Sequence, residues 1–150
     1  MLREKLIADM KDAMRAGAKA KLGTIRLMNS AIKSADIEAR PSGKDAISDA
    51  EILQVFAKMV KQRRDSVEQF TNGGRPELAA AEQAEIDVIE SYMPKQMSAD
   101  EVKAVASALI AELGVSGMKD MGKVIAAMKE KYAGAMDFGK ASGIVKDLLK

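Results

Sequence analysis

Apolar residues in this chain recur at three- and four-residue intervals, and no segment of any length alternates with period two. That periodicity predicts helices throughout and no sheet. Leu2, Leu6, Ile7, Met10 and Met14 predict a first helix running to about Ala16, with Gly17 at its end. Leu22, Ile25, Met28 and Ile32 predict a second, fading into the loop Arg40-Pro41-Ser42-Gly43. Ser48 followed by Glu51 is a capping box. It opens a long third helix with Ile52, Val55, Phe56, Met59, Val60, Val67 and Phe70 on one side, closed by Asn72-Gly73-Gly74. Pro76 suits the first turn of a fourth helix that carries Leu78, Ile86, Ile89 and Tyr92.

The stretch from Ser91 to Glu101 is a joint. Pro94 has no N–H to give and clashes with a continuing helix, so the fourth helix must stop near Tyr92 or Met93. Ser98 with Glu101 reads as a second capping box and starts a new periodic run. Three shorter helices follow. Val102, Val105, Leu109 and Leu113 make the first, closed by Gly114; Met118, Met121, Val124, Ile125 and Met128 make the second. The third begins after the N-cap Asp137 and carries Ile144, Val145, Leu148 and Leu149. The expectation is an all-α chain: a four-helix N-terminal domain over residues 1–94, then a three-helix bundle over residues 95–150.

Composition narrows the chemistry. Hydrophobic residues are 47% of the chain but aromatics only 3%, and there are eleven methionines, so the core must be aliphatic and methionine-rich. Cys and His are both absent. Disulfides, the usual zinc sites, thiol nucleophiles and Ser-His-Asp arrangements are thereby excluded. No strand-associated glycine loop or nucleophile elbow is present, and neither a catalytic residue, a metal site nor a cofactor is expected. No run is long enough to cross a membrane, and the charged start at Met1-Leu2-Arg3-Glu4-Lys5 lacks an apolar leader core, so a soluble cytoplasmic protein is the expectation. Oligomeric state is left open.

The net charge of +2 conceals segregation: residues 1–64 carry 14 Lys/Arg against 8 Asp/Glu, residues 65–101 carry 2 against 9, and residues 102–150 carry 8 against 5. Either the basic early half packs beside the acidic fourth helix, or two basic surfaces face an anionic partner. Two sets of residues follow. Arg63 falls inside the apolar stripe of the third helix and needs a carboxylate, with Glu82 and Glu85 in reach; the alternative is a groove contact to a partner's phosphate or carboxylate. Arg26, Asn29 and Lys33 form a row on the second helix and, with Arg63 and Arg64, are a candidate polar groove. In the C-terminal part Lys119 and Lys123 lie opposite the apolar stripe beside Gly122. A helix glycine costs about 1 kcal/mol relative to Ala, and close backbone approach would offset that, by the next helix or by nucleic acid.

Over essentially the whole length of the chain these residues carry a resemblance. It runs through Leu22-Gly23-Thr24-Ile25-Arg26-Leu27-Met28-Asn29-Ser30-Ala31-Ile32-Lys33, Lys61-Gln62-Arg63-Arg64-Asp65-Ser66, Gly74-Arg75-Pro76-Glu77-Leu78-Ala79, Tyr92-Met93-Pro94-Lys95-Gln96-Met97-Ser98 and Met121-Gly122-Lys123-Val124, with Gly134 and Asp137. The chain resembles the GatB/YqeY family, and within it the free-standing YqeY type. Its C-terminal part is similar to the tail domain of the B subunit of the glutamine-dependent tRNA amidotransferase. The resemblance implies an accessory module that binds tRNA, with Lys119, Gly122, Lys123, Lys129, Lys140 and Lys146 as candidate nucleic-acid contacts. It also implies, as a partner, an aminoacyl-tRNA synthetase or another translation protein. The family's label, a carbon–nitrogen ligase with glutamine as amido-N-donor, belongs to the multisubunit enzyme, whose catalytic machinery has no counterpart here. The alternative is a protein-interaction module docking through its acidic fourth helix, with Glu77, Glu82, Glu85, Asp87 and Glu90. One departure from the family's pattern is Phe138, a bulky residue after Asp137.

Overall fold

The computed structural model describes residues 1–150 and is all-α. Seven α-helices follow one another: α1 Leu2–Ala16, α2 Lys19–Ala39, α3 Asp49–Asn72, α4 Pro76–Glu90, α5 Ala99–Leu113, α6 Met121–Lys131 and α7 Phe138–Leu149. Short 3-10 turns at Arg40–Ser42 and Met118–Asp120 follow α2 and precede α6. The chain divides into two units, Met1–Met93 and Pro94–Lys150. No helix is long and apolar enough to cross a membrane.

The first unit holds α1–α4 around one core. Leu6, Ile25, Met28, Ile52, Phe56, Ile86 and Ile89 are sealed from solvent in it. The helix ends follow local chemistry. Gly17 takes φ 69°, and the N–H groups beyond α1 return to the carbonyls of Ala13 and Met14. At α3 the box closes in both directions, with Ser48 Oγ accepting from Glu51 N–H and the Glu51 carboxylate accepting from Ser48 N–H, each at 3.2 Å.

Three connections far apart in sequence lock this unit. The Arg3 guanidinium donates to both carboxylate oxygens of Asp36 and also to the Ile47 carbonyl at 3.0 Å, while Ile47 N–H donates to Asp36 at 2.8 Å. The loop between α2 and α3 is thereby tied to the start of α1. Tyr92, just past α4, meets Phe56 edge-on with ring centroids 6.5 Å apart, and its hydroxyl donates to Asp9 on α1. Lys5 places its ammonium 4.6 Å from the Tyr92 ring centroid.

The second unit holds α5–α7 around Val102, Ala106, Leu109, Val124, Met128, Met136, Ala141, Val145 and Leu149. Two sequence expectations shift here. Ser98 caps α5 through Glu101 N–H, but Glu101 answers to the Ser98 hydroxyl at 3.3 Å instead of to its N–H, so this box closes in one direction only. Leu113 and Met118, both assigned to apolar stripes, are each 44% exposed, because Gly114 turns the chain away after α5 and Met118 lies in the 3-10 turn ahead of α6. The segment after Pro94 is anchored within this unit: Gln96 donates to the Gly134 carbonyl, and Met97 N–H donates to the Ala135 carbonyl at 2.7 Å.

Candidate nucleic-acid interface

The 3-10 turn at Met118–Asp120 delivers Lys119 to the surface one step ahead of α6, and Lys123 follows in the first turn of that helix. Val124 and Met128 face the core, which turns Gly122, Lys123, Ala126 and Lys129 outward. The Lys123 ammonium lies 3.7 Å from Asp120, which holds it over the helix start. A Cβ built on Gly122 would meet no atom within 4 Å. The next helix therefore does not crowd Gly122, and internal packing supplies no reason for a glycine there.

At the far end of α6, Lys129 sets its ammonium 5.8 Å from the ring centroid of Phe138 at the start of α7. The bulky residue is thus half-buried and covered by a lysine. Asp137 caps α7 by accepting from Gly139 N–H at 2.8 Å. Buried Ala141, Val145 and Leu149 then turn Lys140, Gly143 and Lys146 to solvent. Gly143 was not selected from the sequence, yet it gives the same signal as Gly122: a helix-interior glycine whose Cβ position is open space.

The candidate polar groove is distributed over different helix pairs. Arg63 is largely buried, bonds Glu85 at 2.8 Å and also donates to the Met59 carbonyl at 3.2 Å. Arg64 pairs with Glu90. Both arginines thus tie α3 to α4, and they occupy two of the five carboxylates on the acidic helix. Asn29 instead turns to α1, with its amide 3.9 Å from the Met10 sulfur, while Arg26 and Lys33 are exposed and outside any ion pair. A cleft of about 490 Å³ lies elsewhere in the first unit, between Ala35, Ala39, Ile47 and Val55, beside the 2.9 Å ion pair of Lys44 and Glu51; none of the candidate groove or nucleic-acid-contact residues lines it. No group of three carboxylates gathers to hold a metal ion.

Comparison with known proteins gives this geometry a context. The chain is similar to "Altered inheritance of mitochondria protein 41, mitochondrial" from Eremothecium gossypii, at 36% identity over 107 residues, covering 70% of this chain and 57% of that protein. The protein of the same name from Saccharomyces cerevisiae strain S288c is 38% identical over 88 residues, 59% of this chain and 46% of that protein. That from Lachancea thermotolerans is 35% identical over 107 residues, 70% of this chain and 56% of that protein. The match spans about half the length of these curated relatives. Their names overturn the cytoplasmic expectation drawn from the sequence, since the proteins this chain resembles are named for the mitochondrion; absence of a membrane span and of a leader core does not fix a compartment. The family described as Yqey-like protein matches residues 3–149, nearly the full length and across both units, and the chain belongs to that family.

Proposed function

We propose that this chain is an accessory tRNA-binding module whose C-terminal unit contacts the RNA backbone. The observation that carries the reading is the start of α6, where Lys119 and Lys123 flank a glycine with nothing packed against it. A phosphate backbone can approach such a surface as closely as the helix backbone allows, with two exposed lysines beside it. Lys140 and Lys146, in the same helix as the open Gly143, extend the same chemistry to α7, and Lys129 lies over Phe138 at the start of that helix. Aromatic residues are 3% of the chain, and Phe138 is engaged by Lys129, so recognition by shape and backbone is favoured over stacking on single-stranded bases. The reading assigns binding and no catalytic step.

The test is equilibrium binding of the full chain to total tRNA and to an unstructured RNA of matched length, at two salt concentrations. Preference for tRNA that weakens with salt supports the module. Equal affinity for the two RNAs, or none near physiological salt, rejects it.

A further inference from the structure

A surface helix ordinarily sets charge opposite its buried face; on α2 charge is confined to the flanks and the middle of the outward side is uncharged. With Ile25 as the centre of its buried side and about 100° per residue, Gly23, Leu27, Ser30, Ser34 and Ile37 lie between about 120° and 200° away. All five are exposed and uncharged, Leu27 47% and Ile37 57% exposed, and the one charge in the same arc is Lys19, at about 120° beside Ile37. A Cβ on Gly23 would meet nothing within 4 Å.

One edge of this strip is a row of cations. Lys19, Arg26, Lys33 and Arg40 recur every seven residues, about 10 Å apart along the axis. All four are exposed, and none takes part in an ion pair. Their edge is the one toward α1, since Asp36 and Asn29, nearer the buried side on the same flank, reach Arg3 and Met10. The opposite edge carries Glu38, an acid.

We propose that the outward face of α2 docks an amphipathic helix of a partner protein, apolar on the side it presents to Leu27 and Ile37 and acidic along the flank that meets Lys19, Arg26, Lys33 and Arg40. Small residues at positions 23, 30 and 34 let helix axes come close. Cations at strict seven-residue spacing match carboxylates at the same spacing on a second helix, the arrangement that sets partner choice in supercoiled pairs. Phosphates of each strand recur about every 3.4 Å of duplex axis, far closer than the cation spacing here, and offer nothing to an apolar strip. An anionic membrane would favour cations on both edges, and Glu38 stands on one of them.

The experiment uses the full chain and two 21-residue helical peptides with Leu and Ala on one face, one with Glu at every seventh position along a flank, the other with Lys there. The acidic peptide binds at least ten-fold more tightly than the basic one, and more weakly as salt is raised. Joint Arg26→Glu and Lys33→Glu substitution inverts that order, a gain of binding that misfolding cannot produce. Joint Leu27→Ser and Ile37→Ser substitution weakens the acidic peptide about ten-fold at unchanged helicity. Equal affinity for the two peptides, or an order that survives the charge reversal, overturns the proposal. So does binding of duplex RNA or phosphatidylserine vesicles through Arg26 and Lys33 with no binding of the acidic peptide.

Discussion

Arg63 and Glu85 join α3 to α4 through a 2.8 Å bond at a position the apolar periodicity of α3 reserves for core. The arginine keeps 16% of its side chain exposed and the glutamate 32%, so the pair is screened unequally, and the cost of breaking it depends on which partner is removed. Glu85→Ala leaves a guanidinium with little access to water and only the Met59 carbonyl to serve it. Chemical denaturation of this variant shows a loss of about 1.5–3 kcal/mol, the range for hydrogen bonds to charged groups. Arg63→Leu loses less, since its stem already lies in apolar surroundings and the exposed side of Glu85 can rehydrate.

Asp36 makes the first unit sensitive to acid. The Arg3 guanidinium, and then the Ile47 N–H, hold its carboxyl at about 2, below the ordinary 3.8. A carboxyl that ionises more readily when folded stabilises the fold above its ordinary value and withdraws that contribution as it is protonated. Stability monitored by circular dichroism therefore falls as pH drops from about 4 through about 2. Asp36→Asn is less stable than the parent at neutral pH and shows a flatter profile across that window.

Gly143 offers a stabilising substitution. It sits inside α7 without a positive φ, and a Cβ there enters open space. Gly143→Ala raises the unfolding free energy of the C-terminal unit by about 0.5–1 kcal/mol through helix propensity and lower unfolded-state entropy. A thermal scan reads it. If the open position admits RNA backbone, the same variant binds tRNA more weakly while melting higher, a divergence that stability alone cannot produce.

The lysines at the start of α6 carry a salt signature. Joint Lys119→Glu and Lys123→Glu substitution weakens tRNA binding and leaves helicity unchanged, since both side chains are exposed and only Lys123 has a partner, Asp120. The slope of log K against log salt becomes shallower by about 0.9 for each phosphate that the variant no longer neutralises on a duplex-like surface. Unchanged affinity removes these lysines from the interface.

Features encoded by neighbours in the chain were legible in the sequence. Gly17, the Ser48–Glu51 box and Asp137 act through backbone groups a few residues away, Pro76 through its own fixed φ and missing N–H, and each marks a helix end in the structure as its chemistry requires. The need of Arg63 for a carboxylate followed from its place in an apolar stripe, and the choice between Glu82 and Glu85 required the packing of α4. The knot of Arg3, Asp36 and Ile47 escaped, because no spacing links positions on three separate segments. Ala106 and Ala141 were passed over as core residues, since small side chains mark a helix contact only when the opposing helix is in view. At the candidate interface, sequence pointed to Gly122 through its helical cost but could not say which neighbour lay against it. Gly143 gives the same signal and was overshadowed by the turn glycines around it.

The bond between Tyr92 and Asp9 sets a schedule for synthesis. It spans 83 residues, and Leu6 and Tyr92 belong to the same core as Phe56 and Ile86. A nascent chain that has released α1 and α2 has made a hairpin whose buried side still has nothing to rest on. At the usual pace of a ribosome, roughly 4–17 s pass between the emergence of Asp9 and that of Tyr92. Until α3 and α4 follow, Leu6, Ile25, Met28 and Ile32 lack the side chains they pack with in the folded core, and a chain stalled before Ile86 leaves that core incomplete. This unit is therefore exposed to capture by chaperones until its last helix is complete, whereas the next unit, joined by shorter-range contacts, can close as it emerges.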